Sequence, residues 1–248
     1  MQDKDTVCTE TRLHSSEIKS LQGELISDVI QICSRSPRLM VERRACCVEH
    51  FFCSSDLEGS CTFCDERIDT MARYDPKERF RYIKELVTEF QVSCSNEAKE
   101  QVLANLANFA YDPVNYEHFK RLNILSLFID QLDSADDNLR EFAIGGICNL
   151  CSDQDFRAEV LKPENLDKVV RCLSNSQEET VLSTITTLIS LGLSGCQTDI
   201  TTASVIDCML RYSESPNTRL SNLAKIFLED ICSPEQISNV AGAATAVP

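Results

Sequence analysis

The sequence predicts an all-α fold: a short right-handed solenoid of about four helical repeats behind a mostly disordered amino-terminal extension. Three observations predict it. First, Leu125, Phe128, Ile129 and Leu132 return 41 residues later as Leu166, Val169, Val170 and Leu173. Forty further on stand Ile206, Met209 and Leu210, with Ser213 in the fourth place, and 42 backwards stand Ile83, Leu86, Val87 and Phe90. Spacing of i, i+3, i+4, i+7 is one stripe of an α-helix, so each quartet marks a helix with one buried face. Second, a longer helix lies between the quartets. Its Leu103, Leu106 and Ala110 return at 41 as Ile144, Ile147 and Cys151, and at 41 again as Ile185, Leu188 and Gly192. Third, no unit of this size buries its own stripe, whereas stacked neighbours bury it jointly.

The elements follow in order. Three units stand in good register behind a half unit. Turns fall at 93–96, 134–138, 174–177 and 213–218, rich in Ser, Asn and Asp, which divert hydrogen bonds from a helical backbone and cap the next helix. Asp112-Pro113 and Ser233-Pro234 each sit where a long helix must stop. A third, shorter helix fits at 116–122 and 156–161, which makes the unit three-helical. The last unit is weakest, because Leu220, Leu223, Phe227 and Ile231 are offset from the preceding series by nearer 39 than 41. Residues 235–248 are expected to be a flexible tail.

Lys and Arg number 24 against 39 Asp and Glu, a formal net charge of −15 that divides as −5 over 1–70 and −10 over the rest. Such a chain is a poor direct ligand for phosphate backbones and suits a basic protein partner, or mere solubility, better. No stretch approaches the ~20 apolar residues that cross a membrane, and MQDKDT lacks the regions of a signal peptide. A cytosolic or nuclear chain is expected, with its 14 cysteines reduced.

Seven of those cysteines fall in residues 1–70. There Ile18, Leu21, Leu25, Val29 and Ile32 have the spacing of one amphipathic helix; beyond Ser36-Pro37 the pattern dissolves into Cys46, Cys47, His50, Cys53, Cys61 and Cys64. Cys61 and Cys64 have knuckle spacing, but nothing completes a tetrahedral zinc site, so chance enrichment in an unstructured extension is the stronger account and no metal is expected. Cys148 and Cys151 lie inside a long helix, Cys151 at the small position held by Ala110 one unit earlier, which points to core packing. The solenoid has one histidine, His118, expected to be solvated or capping, so no Ser-His or Cys-His nucleophile can be assembled. The seven glycines are too scattered to cradle a phosphate. Neither a catalytic site, a cofactor nor a small-molecule substrate is expected.

The end of each long helix resembles the armadillo consensus, small-Leu-x-x-Leu-x-Asn-Leu-Ala. It reads VLANLANFA at 102–110, AIGGICNLC at 143–151 and TITTLISLG at 184–192, the last with Ser190 for Asn. Residues 71–234 further resemble the armadillo repeat-containing protein seven family through KEQVLANLANFAYDP, EFAIGGICNLC, EETVLS and IFLEDICSP. The resemblance spans the solenoid and none of residues 1–70, and Met71 looks like the start of that family's reading frame. It implies a nuclear protein of the minor spliceosome that binds a partner carrying an RNA-recognition motif, touching RNA indirectly if at all. Adaptors for another complex, such as a ubiquitin ligase, remain the alternative.

The armadillo resemblance also places a candidate partner-binding stripe on the concave face. Peptide-binding armadillo proteins put a tryptophan four residues before the asparagine; here Ala104, Gly145 and Thr186 stand there, and the chain has no tryptophan. That departure disfavours an importin-like grip on lysine stems. The expectation is a shallow groove made by Asn108, Asn149 and Ser190, by Ala104 and Gly145, and by the acidic Glu100 and Glu141. Two adjacent glycines in a helix cost about 1 kcal/mol each relative to alanine, so Gly145-Gly146 serves either groove formation or close approach of a neighbouring helix.

Overall fold

A computed structural model describes residues 76–244. The extension expected at 1–70, with its cysteine cluster and its boundary at 71, lies outside the described residues, as do residues 245–248. Among the described residues there are α-helices and short 3-10 turns and no strands.

The half unit contributes α1 (Pro76–Val92) and α2 (Asn96–Phe109). Unit two is α3 (Tyr116–Leu122), α4 (Ile124–Gln131) and α5 (Asp137–Leu150). Unit three is α6 (Gln154–Val160), α7 (Pro163–Arg171) and α8 (Glu178–Leu193). Unit four is α9 (Gln197–Ile200), α10 (Ala203–Ser213) and α11 (Thr218–Asp230), followed by α12 (Pro234–Ala244). The long helices α2, α5, α8 and α11 stack consecutively, with α1, α4 and α10 packed against α2, α5 and α11 in turn. One hydrophobic core runs through all of them and holds every expected quartet residue except Val170, Leu210 and Ser213, which are half-buried.

The period is written into the turns as well as the stripes. Long helices begin after Ser95, Asp136, Gln177 and Asn217, and three of these cap the helix: Ser95, Asp136 and Asn217 accept from backbone N–H groups of the first turn. Two residues earlier stand Ser93, Ser134, Asn175 and Ser215, each of whose side-chain oxygen accepts from the cap's own N–H, at 3.3, 3.1, 2.7 and 3.2 Å. This repeated local hydrogen bond turns the chain from second to third helix in every unit. The bend between α3 and α4 is tighter. Asn123, at φ 51°, occupies the left-handed region that asparagine tolerates, and one residue joins the two helices.

Residues 235–248 were expected to be a tail, yet Pro234–Ala244 form α12. The apolar Ile237 and Val240, three apart, pack against the core beside unit four. Gln236 fixes the start: its Oε1 accepts from Ser233 N while Ser233 Oγ accepts from Gln236 N, a capping box.

Ion pairs stitch the unit joints. Lys168 and Arg171 both meet Asp133, at 2.8 and 2.9 Å, and Lys120 meets Asp153 at 3.2 Å and Asp155 at 2.7 Å. The Lys168 hydrogen bond holds the Asp133 carboxyl below its ordinary value. For Asp153, burial pushes upward, but backbone N–H bonds from Phe156 and Asp155 and the Lys120 ammonium outweigh it, so its value too is lowered. A carboxylate whose folded value lies below its unfolded one stabilises the fold above the unfolded value and loses that as pH falls through the folded one. Thermal midpoints of the native chain are therefore expected to drop between about pH 5 and pH 3, and less steeply in an Asp133→Asn, Asp153→Asn double variant. Equal slopes would refute this assignment.

Candidate functional site

Consecutive stacking of α2, α5 and α8 brings the expected stripe together as three parallel rows: Glu100, Ala104, Asn108; Glu141, Gly145, Asn149; and Leu182, Thr186, Ser190. Most of these positions are closed. Ala104 is 0% exposed, Glu141 3%, Asn149 7%, Leu182 1%, Thr186 0% and Ser190 2%, and Gly145 is buried. Only Glu100 and Asn108, at the near edge, are half-buried.

The polar side chains of the rows face one another's backbones. Asn149 Nδ2 donates to Ala107 O at 3.0 Å, satisfying one of the last carbonyls of α2, which no intrahelical N–H can reach. Ser190 Oγ makes a longer bond to Cys151 O, at 3.4 Å, three residues beyond the equivalent carbonyl. Glu100 accepts from Asn138 Nδ2 at 2.7 Å. The consensus asparagine thus clasps successive units here. Helix α8 turns its hydroxyls inward: Thr184, Thr186 and Thr187 donate to the carbonyls of Thr180, Leu182 and Ser183, while the buried Thr180 hydroxyl has no partner.

Other clasps had no motif to announce them. Asn115 Nδ2 donates to Phe109 O at 2.8 Å and closes a second carbonyl of α2. Tyr116 Oη donates to Asn149 O at 3.2 Å and lies against Ser152 Oγ, and Arg157 Nη1 donates to Cys151 O and Ser152 O, each at 2.8 Å. Their common signal is position just past the end of a long helix.

Gly146 answers the two-glycine question by close approach. A Cβ there would stand 2.5–2.8 Å from three atoms of the Phe128 ring, which fills the space the missing side chain leaves. Cys148 and Cys151 are both 0% exposed, and burial pushes the Cys151 thiol up to about 12, as core packing requires and a nucleophile does not. His118 differs from expectation. It is half-buried, its ring lies 5.5 Å from that of Phe80, and its Nδ1 is buried without a partner. Burial, then the Arg121 and Arg79 charges, lower its pKa.

Three-helix units, stacked long helices and a shared core define an armadillo-repeat scaffold. No protein-family model matches the chain. Solved structures similar to it include a designed armadillo repeat protein (TM-score 0.57, 15% identity, 84% of this chain and 87% of that one). Another designed armadillo protein, in complex with the peptide (KR)4, has TM-score 0.54 and 16% identity over 86% of this chain and 91% of its own. In sequence, the chain is 50% identical over 162 residues to Armadillo repeat-containing protein 7 of Mus musculus, covering 64% of this chain and 82% of that protein. The chain belongs to the armadillo repeat-containing protein 7 family.

Proposed function

We propose that this chain is a non-catalytic scaffold of the minor spliceosome, acting in the nucleus by binding a protein that carries an RNA-recognition motif. The observation that carries it is the half identity to Armadillo repeat-containing protein 7, the family whose resemblance implies that role. Two features agree with it. A net charge of −15 opposes direct contact with phosphate backbones, which leaves RNA to the partner. A designed armadillo relative holds a (KR)4 peptide, which supports a protein segment as the ligand of this architecture. The partner's place is the concave stripe from Glu100 to Ser190.

Affinity capture of the full chain from nuclear extract is expected to enrich minor-class small nuclear RNAs over major-class ones, and the bare protein is expected not to retain single-stranded RNA at micromolar concentration in moderate salt. Capture of ubiquitin-ligase subunits with no small nuclear RNA would replace this role with that of an adaptor for another pathway.

A further inference from the structure

A cavity of about 480 Å³ opens where the turn before α5 meets the turn before α8. Asp133 and Arg140 line it from unit two, and Arg171 and residues 174–176 from unit three. Arg140 donates through Nη1 to Ser134 O at 2.7 Å and through Nη2 to Asp137, while its Nε–H is buried with no partner. A buried N–H left unsatisfied costs stability and calls for an acceptor. Arg171 meets Asp167 and Asp133 at 2.6 and 2.9 Å, yet 57% of its side chain is exposed. Ser174 and Ser176 are exposed, and neither hydroxyl has a hydrogen-bond partner among the described residues. Two guanidinium groups and two idle hydroxyls thus share one cavity across a unit joint.

We propose that Ser176 is a phosphorylation site and that Arg140 and Arg171 receive its phosphate. Asn175 (φ −73°, ψ 149°) and Gln177 (φ −84°, ψ 120°) flank it in extended backbone, which presents the hydroxyl clear of any helix. Glu178 and Glu179 follow at two and three residues, a charge pattern that a kinase with a basic substrate cleft selects. At the equivalent place in the other three turns stand Cys94, Ala135 and Pro216, so the hydroxyl is particular to this joint. In the transfer, the Oγ–H proton passes to the kinase's base and Oγ bonds to the γ-phosphorus of ATP. The bond from that phosphorus to the bridging oxygen breaks, and ADP leaves. Arg140, Arg171 and Lys168 already face Asp133, Asp137 and Asp167, so the phosphate must compete for the guanidinium groups. It does so with three acceptor oxygens and a charge of about −2. Once made, the contact ties the turn of unit three to the long helix of unit two.

The test uses the full chain. Incubated with ATP and a serine kinase that selects acidic flanks, it is expected to take up phosphate at Ser176, located by peptide mass spectrometry. Ser176→Ala is expected to abolish that uptake and Ser174→Ala to leave it. Phosphoserine is then installed at 176 during translation, which makes the second measurement independent of the kinase. The thermal midpoint at low salt is expected to rise by about 3 °C over the unmodified chain. Arg140→Gln is expected to remove that rise, and Arg171→Gln, at an exposed side chain, serves if the first variant fails to fold. No uptake at Ser176 overturns the modification site. An unchanged or lower midpoint, or a rise that survives loss of either arginine, overturns the receiving role. Neither measurement involves RNA or a partner, so failure here leaves the splicing role standing, and failure of that role leaves this site standing.

Discussion

Gly146→Ala is expected to destabilise the solenoid by about 2 kcal/mol, lowering the thermal midpoint by about 5 °C. On helix propensity alone it would stabilise by about 1 kcal/mol, so the sign tests which effect wins. The added carbon falls within 2.8 Å of three atoms of the Phe128 ring, and Phe128 is 0% exposed in the core. Overpacking of this kind costs about 1–3 kcal/mol or more. Phe128→Leu in the same molecule removes the colliding atoms, so the double variant is expected to recover at least half the loss, a favourable coupling between neighbours. Neighbouring units carry the same exchange already. One unit earlier the corresponding positions are Leu86 and Asn105; one unit later they are Val169 and Thr187. Where the second helix offers the largest side chain, the third offers the smallest. A Gly146→Ala variant as stable as the parent would show that the ring yields cheaply.

The second large effect concerns two asparagines that look alike in sequence. Asn149→Ala is expected to cost about 2 kcal/mol in chemical denaturation, because it leaves the buried Ala107 carbonyl without its donor. Asn108→Ala, at the equivalent consensus position, is expected to fall within about 0.5 kcal/mol of the parent, because Asn108 is half-buried and makes no side-chain hydrogen bond among the described residues. Equal costs would mean that the asparagine acts through its own helix rather than through the clasp. The comparison separates a structural use of the armadillo asparagine from its use as a peptide-holding arm.

The fold was legible because its signal is repetition. Four quartets, three long-helix series and four turns, each at about 41 residues, agree with one another, and the short helices at 116–122 and near 156 followed from the space left between them. Helix α12 was not legible as packed structure. Its two core contacts, Ile237 and Val240, are too few to make a periodic stripe. At the site, residue identity was legible and exposure was not. Consensus position placed Ala104, Gly145 and Asn149 on one face, but spacing carries no measure of exposure, and all three are buried. The clasps escaped for another reason: Tyr116, Asn115 and Arg157 all act on backbone carbonyls, and a hydrogen bond to backbone leaves no side-chain partner to recognise.

Three of the clasps cross a unit joint from the later unit to the earlier. Asn149 and Ser190 reach back to Ala107 and Cys151, and Tyr212 Oη reaches Leu173 O, so each unit is finished by the one after it. On the ribosome, where chains emerge at roughly 5–20 residues per second, every nascent unit waits some seconds, with raw helix ends, for its successor. Helix α12 joins after the last of these clasps, with Ile237 and Val240 laid against the core, so a chain stopped short of it leaves unit four without that cover.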